Sequence, residues 1–374
     1  MAESKNLKLG SPPRLIAWEI TRSCTLNCRH CRAAARYGPY PNEFTTDECF
    51  KVLDNIASFA RPIMILTGGE PMLRDDIFEI ATYGSRLGLR MTMAPCGFLF
   101  DNESVQKMKA AGIERISLSL DGATARTHDT FRRIEGAFDA VVRAMRCARE
   151  KDLDFQINTT VTKHNLKELD HILQLAIESG AVAFHPFLLV PTGRGKELAG
   201  EEISPTEYES VLNWIYDQRK KVPIQFKPTC APHYYRIFRQ REKEQGRRMT
   251  PQTHGLDAMT KGCMGGQSFA FISHTGRVQI CGFLETECGD VRKENYDFRK
   301  IWETSPIFEQ MRNLDGYHGR CGYCEYRKVC GGCRARAFAA TGDYLDEEPY
   351  CIYEPKMGAK ESPCKGRLIG VRSK

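Results

Sequence analysis

Apolar and polar positions follow a repeating rhythm along the first half of the chain. Short apolar runs (LIAWEIT, IMILT, LRMTMA, RISLSL, FQINTTV and AVAFHPFLLV) recur between residues 15 and 190. Between them lie stretches whose apolar residues return every three or four positions, near 46–59, 75–87, 103–111, 136–150 and 165–179. Runs that short and that apolar read as strands buried on both faces, and the longer rhythm reads as amphipathic helices. Thr45 and Glu48 stand in capping-box spacing at the head of the first helix. Strands and helices in alternation predict parallel strands joined by right-handed crossovers. Six units are too few for an eightfold barrel, so the expected class is α/β, a partial (β/α)6 barrel over residues 14–190.

Beyond Val190 the rhythm breaks. A connecting region over 191–260 holds one helix near 204–220 and a charged helix after IQFKPTCAPHYY. Residues 261–354 are rich in cysteine and glycine with little periodicity, so bound metal is expected to replace part of an apolar core there. Residues 1–13 read as a short N-terminal extension and 355–374 as a flexible tail.

Composition narrows the class. With 374 residues, 41% hydrophobic and 27% charged, the chain is globular. The N-terminal MAESKNLKLGSPP lacks the apolar stretch of a signal peptide, and no apolar run is long enough to span a bilayer. A soluble, cytoplasmic, monomeric protein is expected, with no membrane partner. The net charge of +7 is spread along the chain, which suits a solvated surface better than a nucleic-acid-binding face. Sixteen cysteines in a reducing compartment point to metal rather than disulfides, and soft thiolates select zinc, copper(I) or iron–sulfur.

Three of those cysteines, Cys24, Cys28 and Cys31, stand at C-x3-C-x2-C spacing directly after the first predicted strand. A closed zinc site takes four ligands; three thiolates suit a [4Fe–4S] cube with one iron left open. In parallel α/β folds the chemistry gathers at the carboxyl ends of the strands. The same face carries Gly68, Gly69 and Glu70 after the second strand, and Ser119 and Asp121 at the end of the fourth.

A C-x3-C-x2-C loop after the first strand of such a barrel resembles the radical S-adenosylmethionine (SAM) superfamily. The resemblance implies that SAM chelates the open iron and that one electron from the cluster cleaves it to methionine and a 5′-deoxyadenosyl radical. It also implies that Gly68, Gly69 and Glu70 meet the SAM amino group, and that Ser119 and Asp121, with Asn158 a further candidate, lie near the ribose. One departure is Cys96-Gly97, where many relatives have Asn-Gly.

The second array, Cys263, Cys281, Cys321, Cys324, Cys330, Cys333 and Cys351, resembles the SPASM extension of radical SAM enzymes, which holds up to two auxiliary [4Fe–4S] clusters. By that likeness Cys321, Cys324, Cys330 and Cys351 would share one cluster. Cys263, Cys281 and Cys333 would share another, its fourth place open and Cys230 a candidate for it. The usual C-x2-C-x5-C-x3-C is shortened here to C-x2-C-x5-C-x2-C, so the pairing could shift. A zinc ribbon would leave three of these cysteines idle.

PTGRGKEL, FKPTCAPHYYRI and CGGCRARAFAATGDYLDEEPYC are similar to the tetrapyrrole-modifying branch, the enzymes of alternative heme biosynthesis and their heme d1 relative. The likeness is nearest to heme synthesis by oxidative decarboxylation of iron-coproporphyrin III. It implies a tetrapyrrole substrate and an electron donor such as ferredoxin or flavodoxin. Arg194, Lys196 and Arg236 are candidates for substrate carboxylates, and His185 or His233 for the substrate iron. The alternatives are removal of acetate groups from a siroheme derivative, formation of the heme d1 precursor, and a SPASM peptide maturase. A simple iron–sulfur electron carrier would need no open iron.

Overall fold

The computed structural model describes residues 11–250, 252 and 262–356. Most of the N-terminal extension and of the tail, with Cys364, lies outside the described residues.

Six strands carry the barrel: β1 (Leu15–Thr21), β2 (Ile63–Gly68), β3 (Arg90–Met93), β4 (Ile113–Ser119), β5 (Asp154–Val161) and β6 (Ala183–Leu188). They pair in chain order and all in parallel. Helices α1 (Thr46–Phe59), α2 (Ile77–Arg86), α3 (Asn102–Ala110), α4 (Ala125–Arg132), α5 (Ala137–Glu150) and α6 (Leu169–Glu178) fill the crossovers. The first opens as expected: the Glu48 amide donates to Thr45 Oγ1 at 3.3 Å, and the Thr45 amide to Glu48 Oε2 at 2.9 Å. The connecting region adds α7 (Pro205–Gln218), the short β7 (Gln225–Phe226) beside β6, and α8 (His233–Glu244). Among the described residues no helix is long and apolar enough to cross a membrane.

Two expectations are revised. The strands are not apolar-buried on both faces. Ile16, Trp18, Met64, Leu66, Met91, Met93, Ile116, Leu118 and Ile157 pack under the helices. The alternate positions, among them Thr67, Thr92, Ser117, Ser119, Gln156, Asn158 and His185, are only partly buried and polar. Six strands cannot fill their own interior with side chains, and the polar face lines that interior. The cysteine-rich segment is also more regular than its composition implies. β8 (Phe269–Ile272) runs parallel to β1, and β9 (Arg277–Cys281) and β10 (Leu284–Asp290) continue the sheet antiparallel. Its three strands extend the sheet from the β1 edge, and with β7 at the other edge the sheet has ten strands.

Candidate active site and cysteine centres

The loop after β1 is built by its own backbone. Cys24 N–H donates to Arg36 O at 3.0 Å, Cys31 N–H to Cys28 O at 3.3 Å, and Ala34 N–H to Cys31 O at 3.1 Å. Glu19, fully buried on β1, holds the loop through Arg22 and Arg32, each at 2.7 Å. Leu26, Ala33 and Ala35 pack around Cys24 and Cys28, with Cys31, Cys96, Phe98 and Ile134 against them. Each of the three sulfurs receives an N–H: Leu26 to Cys24 at 3.3 Å, Ala35 to Cys31 at 3.4 Å, and Arg132 Nη1 to Cys28 at 3.5 Å. Burial pushes the Cys24 thiol up to about 12, and the neighbouring Cys28, Glu70 and Cys31 reinforce it. Burial likewise raises Cys28, against the pull of Arg132. Donors aimed at sulfur and thiols costly to ionise without a cation are what a bound metal cluster would use.

Among the described residues no three His, Cys, Asp or Glu side chains close on one metal ion. Cluster ligands need not, because each thiolate binds its own iron.

Gly68 and Gly69 press the end of β2 onto this loop. A Cβ at Gly68, whose φ is +149°, would lie 1.9 Å from Thr21 O, and one at Gly69 would lie 2.2 Å from Ser23 O. That closeness lets Gly69 N–H reach Thr21 O at 2.8 Å and Glu70 N–H reach Ser23 O at 2.7 Å. Glu70 is 1% exposed. Its carboxylate accepts Met72 N–H at 2.9 Å and Cys96 N–H at 2.5 Å. Burial raises its pKa in spite of both bonds.

Ser119 and Asp121 part company. Ser119 is partly exposed and pairs in register with Asn158, which pairs in turn with His185. Asp121 is fully buried; one oxygen takes Thr160 N–H at 2.7 Å and the other the Arg132 guanidinium. Burial works to raise this carboxyl, but Arg132, His30 and His128 win and lower it. Asp121 thus aims Arg132 at Cys28. Arg132 and its helix α4 escaped the sequence reading because ARTHDTFR carries almost no apolar stripe. The N-cap was the available signal: Thr124 accepts Thr127 N–H at 3.3 Å.

Two of the three cationic candidates are engaged internally. Arg194 donates to Cys28 O at 2.8 Å and to Ala35 O at 2.7 Å, bracing the cysteine loop. Arg236 is paired with Glu209 through both terminal nitrogens, at 2.8 and 2.5 Å. Lys196 is exposed. His185 faces the barrel interior with Nδ1 beside Gln156 Nε2 at 3.2 Å, whereas His233 is fully buried and lines the cavity of the second cysteine set.

Apart from Cys288, the described cysteines from Cys230 onward fall into two groups of four. Cys321, Cys324, Cys330 and Cys351 line one partly open cavity with His233, Arg236, Arg320 and Glu348. Three of their sulfurs receive backbone N–H groups: Glu348 to Cys321 and Tyr326 to Cys324 at 3.4 Å, and Gly332 to Cys330 at 3.5 Å. Cys230 lies within electrostatic reach of Cys333, Cys281 and Cys263, and burial together with them drives its thiol well above the usual range. The place left open in the sequence therefore has Cys230 beside it. Its backbone sits at φ +56°, and its carbonyl accepts Tyr208 Oη and Arg336 Nη2, each at 3.1 Å. The shortened Cys330–Cys333 spacing does not mix the groups. Gly331 and Gly332 both take positive φ, +70° and +62°, turning the chain sharply between the two cysteines, which fall in different groups.

Against known proteins, residues 18–176 match the model of the Radical SAM superfamily. The chain is 52% identical to the AdoMet-dependent heme synthase of Nitratidesulfovibrio vulgaris, over 96% of this chain and 97% of that one. It is 51% identical to the protein of the same name from Methanosarcina barkeri, over 93% of this chain and 99% of that one. Among solved structures, Streptococcus suis SuiB bound to S-adenosylmethionine superposes with a TM-score of 0.74 at 16% identity. That alignment covers 93% of this chain and 79% of SuiB, and it is a likeness of fold.

Proposed function

This chain belongs to the radical SAM superfamily, and from that premise we propose that it is a heme synthase. It would convert propionate side chains of iron-coproporphyrin III to vinyl groups by oxidative decarboxylation, giving heme b. One observation carries the reading: half-identity, across nearly the whole of both chains, to relatives from two organisms that share the name AdoMet-dependent heme synthase.

Cys24, Cys28 and Cys31 are the residues that would hold the SAM-binding [4Fe–4S] cluster, in a pocket whose three sulfurs already accept N–H groups. Cys321, Cys324, Cys330 and Cys351 would hold one auxiliary cluster, and Cys263, Cys281, Cys333 and Cys230 the other. Bound there, SAM and its cluster supply hydrogen-atom abstraction, and the auxiliary clusters supply a one-electron acceptor. Glu70 offers a carboxylate for an ammonium group, and Arg132, whose buried Nε has no hydrogen-bond partner, offers an N–H for a carboxylate. Those are the two charged ends of the methionine part of SAM. Gly68 and Gly69 hold Glu70 against the cysteine loop, and Ser119 presents a hydroxyl at the interior for a ribose. Leu26, Phe98 and Ile134 keep water from the sulfurs. We further propose a ferredoxin or flavodoxin as donor.

The balance of the step matches these parts. A propionate gives up one hydrogen atom from its β-carbon, its carboxylate leaves as CO2, and one electron departs to complete the vinyl group. Anaerobic incubation of reconstituted protein with SAM, reductant and iron-coproporphyrin III, followed by mass analysis, tests this. Two propionates converted to vinyl groups, each with loss of its carboxyl as CO2, are expected. Unchanged iron-coproporphyrin III, alongside loss of acetate groups from a siroheme derivative, would reject it.

A further inference from the structure

We infer that Glu348, clamped by Arg336, couples the two auxiliary cysteine centres, so that one charge acts on both. Its carboxylate Oε2 accepts the amide of Cys333, a member of one set, at 2.8 Å. Its own amide donates to Sγ of Cys321, a member of the other, at 3.4 Å. A single residue thus touches both sets, by its side chain on one side and its backbone on the other.

Neither contact is free to drift. Arg336 Nη1 lies 3.3 and 3.2 Å from the two carboxylate oxygens, and the side chains are 2% and 1% exposed. The other guanidinium N–H groups go to Leu188 O, Leu189 O and Cys230 O. Arg336 therefore also fixes Cys230, and ties the pair to the end of β6. Tyr208 and Tyr350 flank the guanidinium at 5.1 and 5.5 Å. The set containing Cys281 is the one nearer the barrel loop, since a Cβ on Gly282 would meet Arg32 Nε at 3.1 Å.

Charge and hydrogen bonds to sulfur are the levers a protein holds over an iron–sulfur potential, and burial strengthens both. A carboxylate that accepts the Cys333 amide and belongs to a residue lining the cavity of the other set makes each centre harder to reduce. An electron passing from one to the other oxidises the first by one and reduces the second by one, with no bond or proton changed, so a fixed charge between them needs no rearrangement. A staple serving stability alone would leave the potentials where they are.

The inference rests on both sets holding clusters and is independent of the substrate. The test is a potentiometric titration, followed by electron paramagnetic resonance, of the full-length reconstituted protein without substrate. The parent is compared with Glu348→Gln, and with Glu103→Gln, at an exposed carboxylate on α3, as a control. Upward shifts of both auxiliary midpoints in Glu348→Gln are expected, with the SAM-site midpoint, the iron content and the control unchanged. A shift in one auxiliary centre alone, or in neither, overturns the coupling. Should Glu348→Gln not retain iron, Glu348→Asp keeps the charge and draws it back from Cys333. The midpoint of the Cys333 centre should then rise more than the other, and no shift overturns the inference. Detection of a single auxiliary cluster would also sink it, and would leave the decarboxylation assay untouched.

Discussion

Arg132 places Nη1 3.5 Å from the sulfur of Cys28, a residue 104 positions earlier in the chain, while Asp121 holds the same guanidinium from behind. The sulfur, the cation and the carboxylate are all buried. Removing the middle member strands the other two. Arg132→Met should destabilise the cofactor-free protein by about 3–5 kcal/mol, the usual cost of leaving one buried partner uncompensated. Arg132→Met with Asp121→Asn should recover much of that loss without recovering SAM affinity. Denaturant titration and equilibrium SAM binding separate the two effects.

Glu70 predicts a trade between stability and binding. Burial raises its pKa above the ordinary value of 4.5, so the folded protein holds this proton more tightly than the unfolded chain does. The sign follows: stability of the cofactor-free protein falls as pH rises from the unfolded value through the raised one. Glu70→Gln removes that penalty. The variant should show a flatter pH profile of stability, its gain at neutral pH offset in part because the amide nitrogen must face one of the two N–H groups that the carboxylate accepts, while SAM binding weakens about tenfold or more for want of a charged acceptor, in line with about 1.5–3 kcal/mol for such a bond. An unflattened pH profile with unaltered affinity would count against the role given to Glu70.

What the sequence made legible, and what it hid, follows from where the physical signal is local. C-x3-C-x2-C, Gly-Gly-Glu and the Thr45–Glu48 cap are patterns within a few residues, and each lies in the structure where the strand order puts it. Arg132 was hidden because its helix has no apolar rhythm, and its partners come from β4 and the cysteine loop. Cys230 could be named from the sequence only as one candidate, because a lone cysteine has no spacing to read; the fold brings it to Cys263, Cys281 and Cys333. Arg194 and Arg236 looked available for substrate because charge in a loop sequence does not reveal a buried carbonyl or glutamate already waiting for it.

The cysteines predict a division of labour. Cys24→Ala, Cys28→Ala or Cys31→Ala should abolish reductive cleavage of SAM, measured as 5′-deoxyadenosine. Cys321→Ala or Cys324→Ala should leave cleavage in place and block the vinyl product. Cys230→Ala should behave like this second group and also change the spectrum of a single auxiliary centre. Normal product from the Cys321 or Cys324 variants would remove the electron-acceptor role from that set.

Gly332 offers the sharpest probe of how the two auxiliary sets stay apart. Its φ of +62° belongs to the left-handed region, where a side chain costs about 1–2 kcal/mol. A Cβ there would also lie 2.4 Å from Arg334 Nη2, 2.9 Å from Glu348 Cβ and 3.0 Å from Cys321 Sγ. Arg334 can swing, but Cys321 cannot leave without losing its place in the set. Gly332→Ala should therefore lose iron from the Cys321 centre while the SAM-site cluster and SAM cleavage persist. Gly331→Ala shares the strained φ, +70°, but meets nothing closer than 3.6 Å, so backbone strain alone should cost it less iron. Iron analysis and electron paramagnetic resonance of the two variants side by side distinguish steric displacement of Cys321 from loss of the turn itself, and equal iron loss in both would assign the effect to the turn.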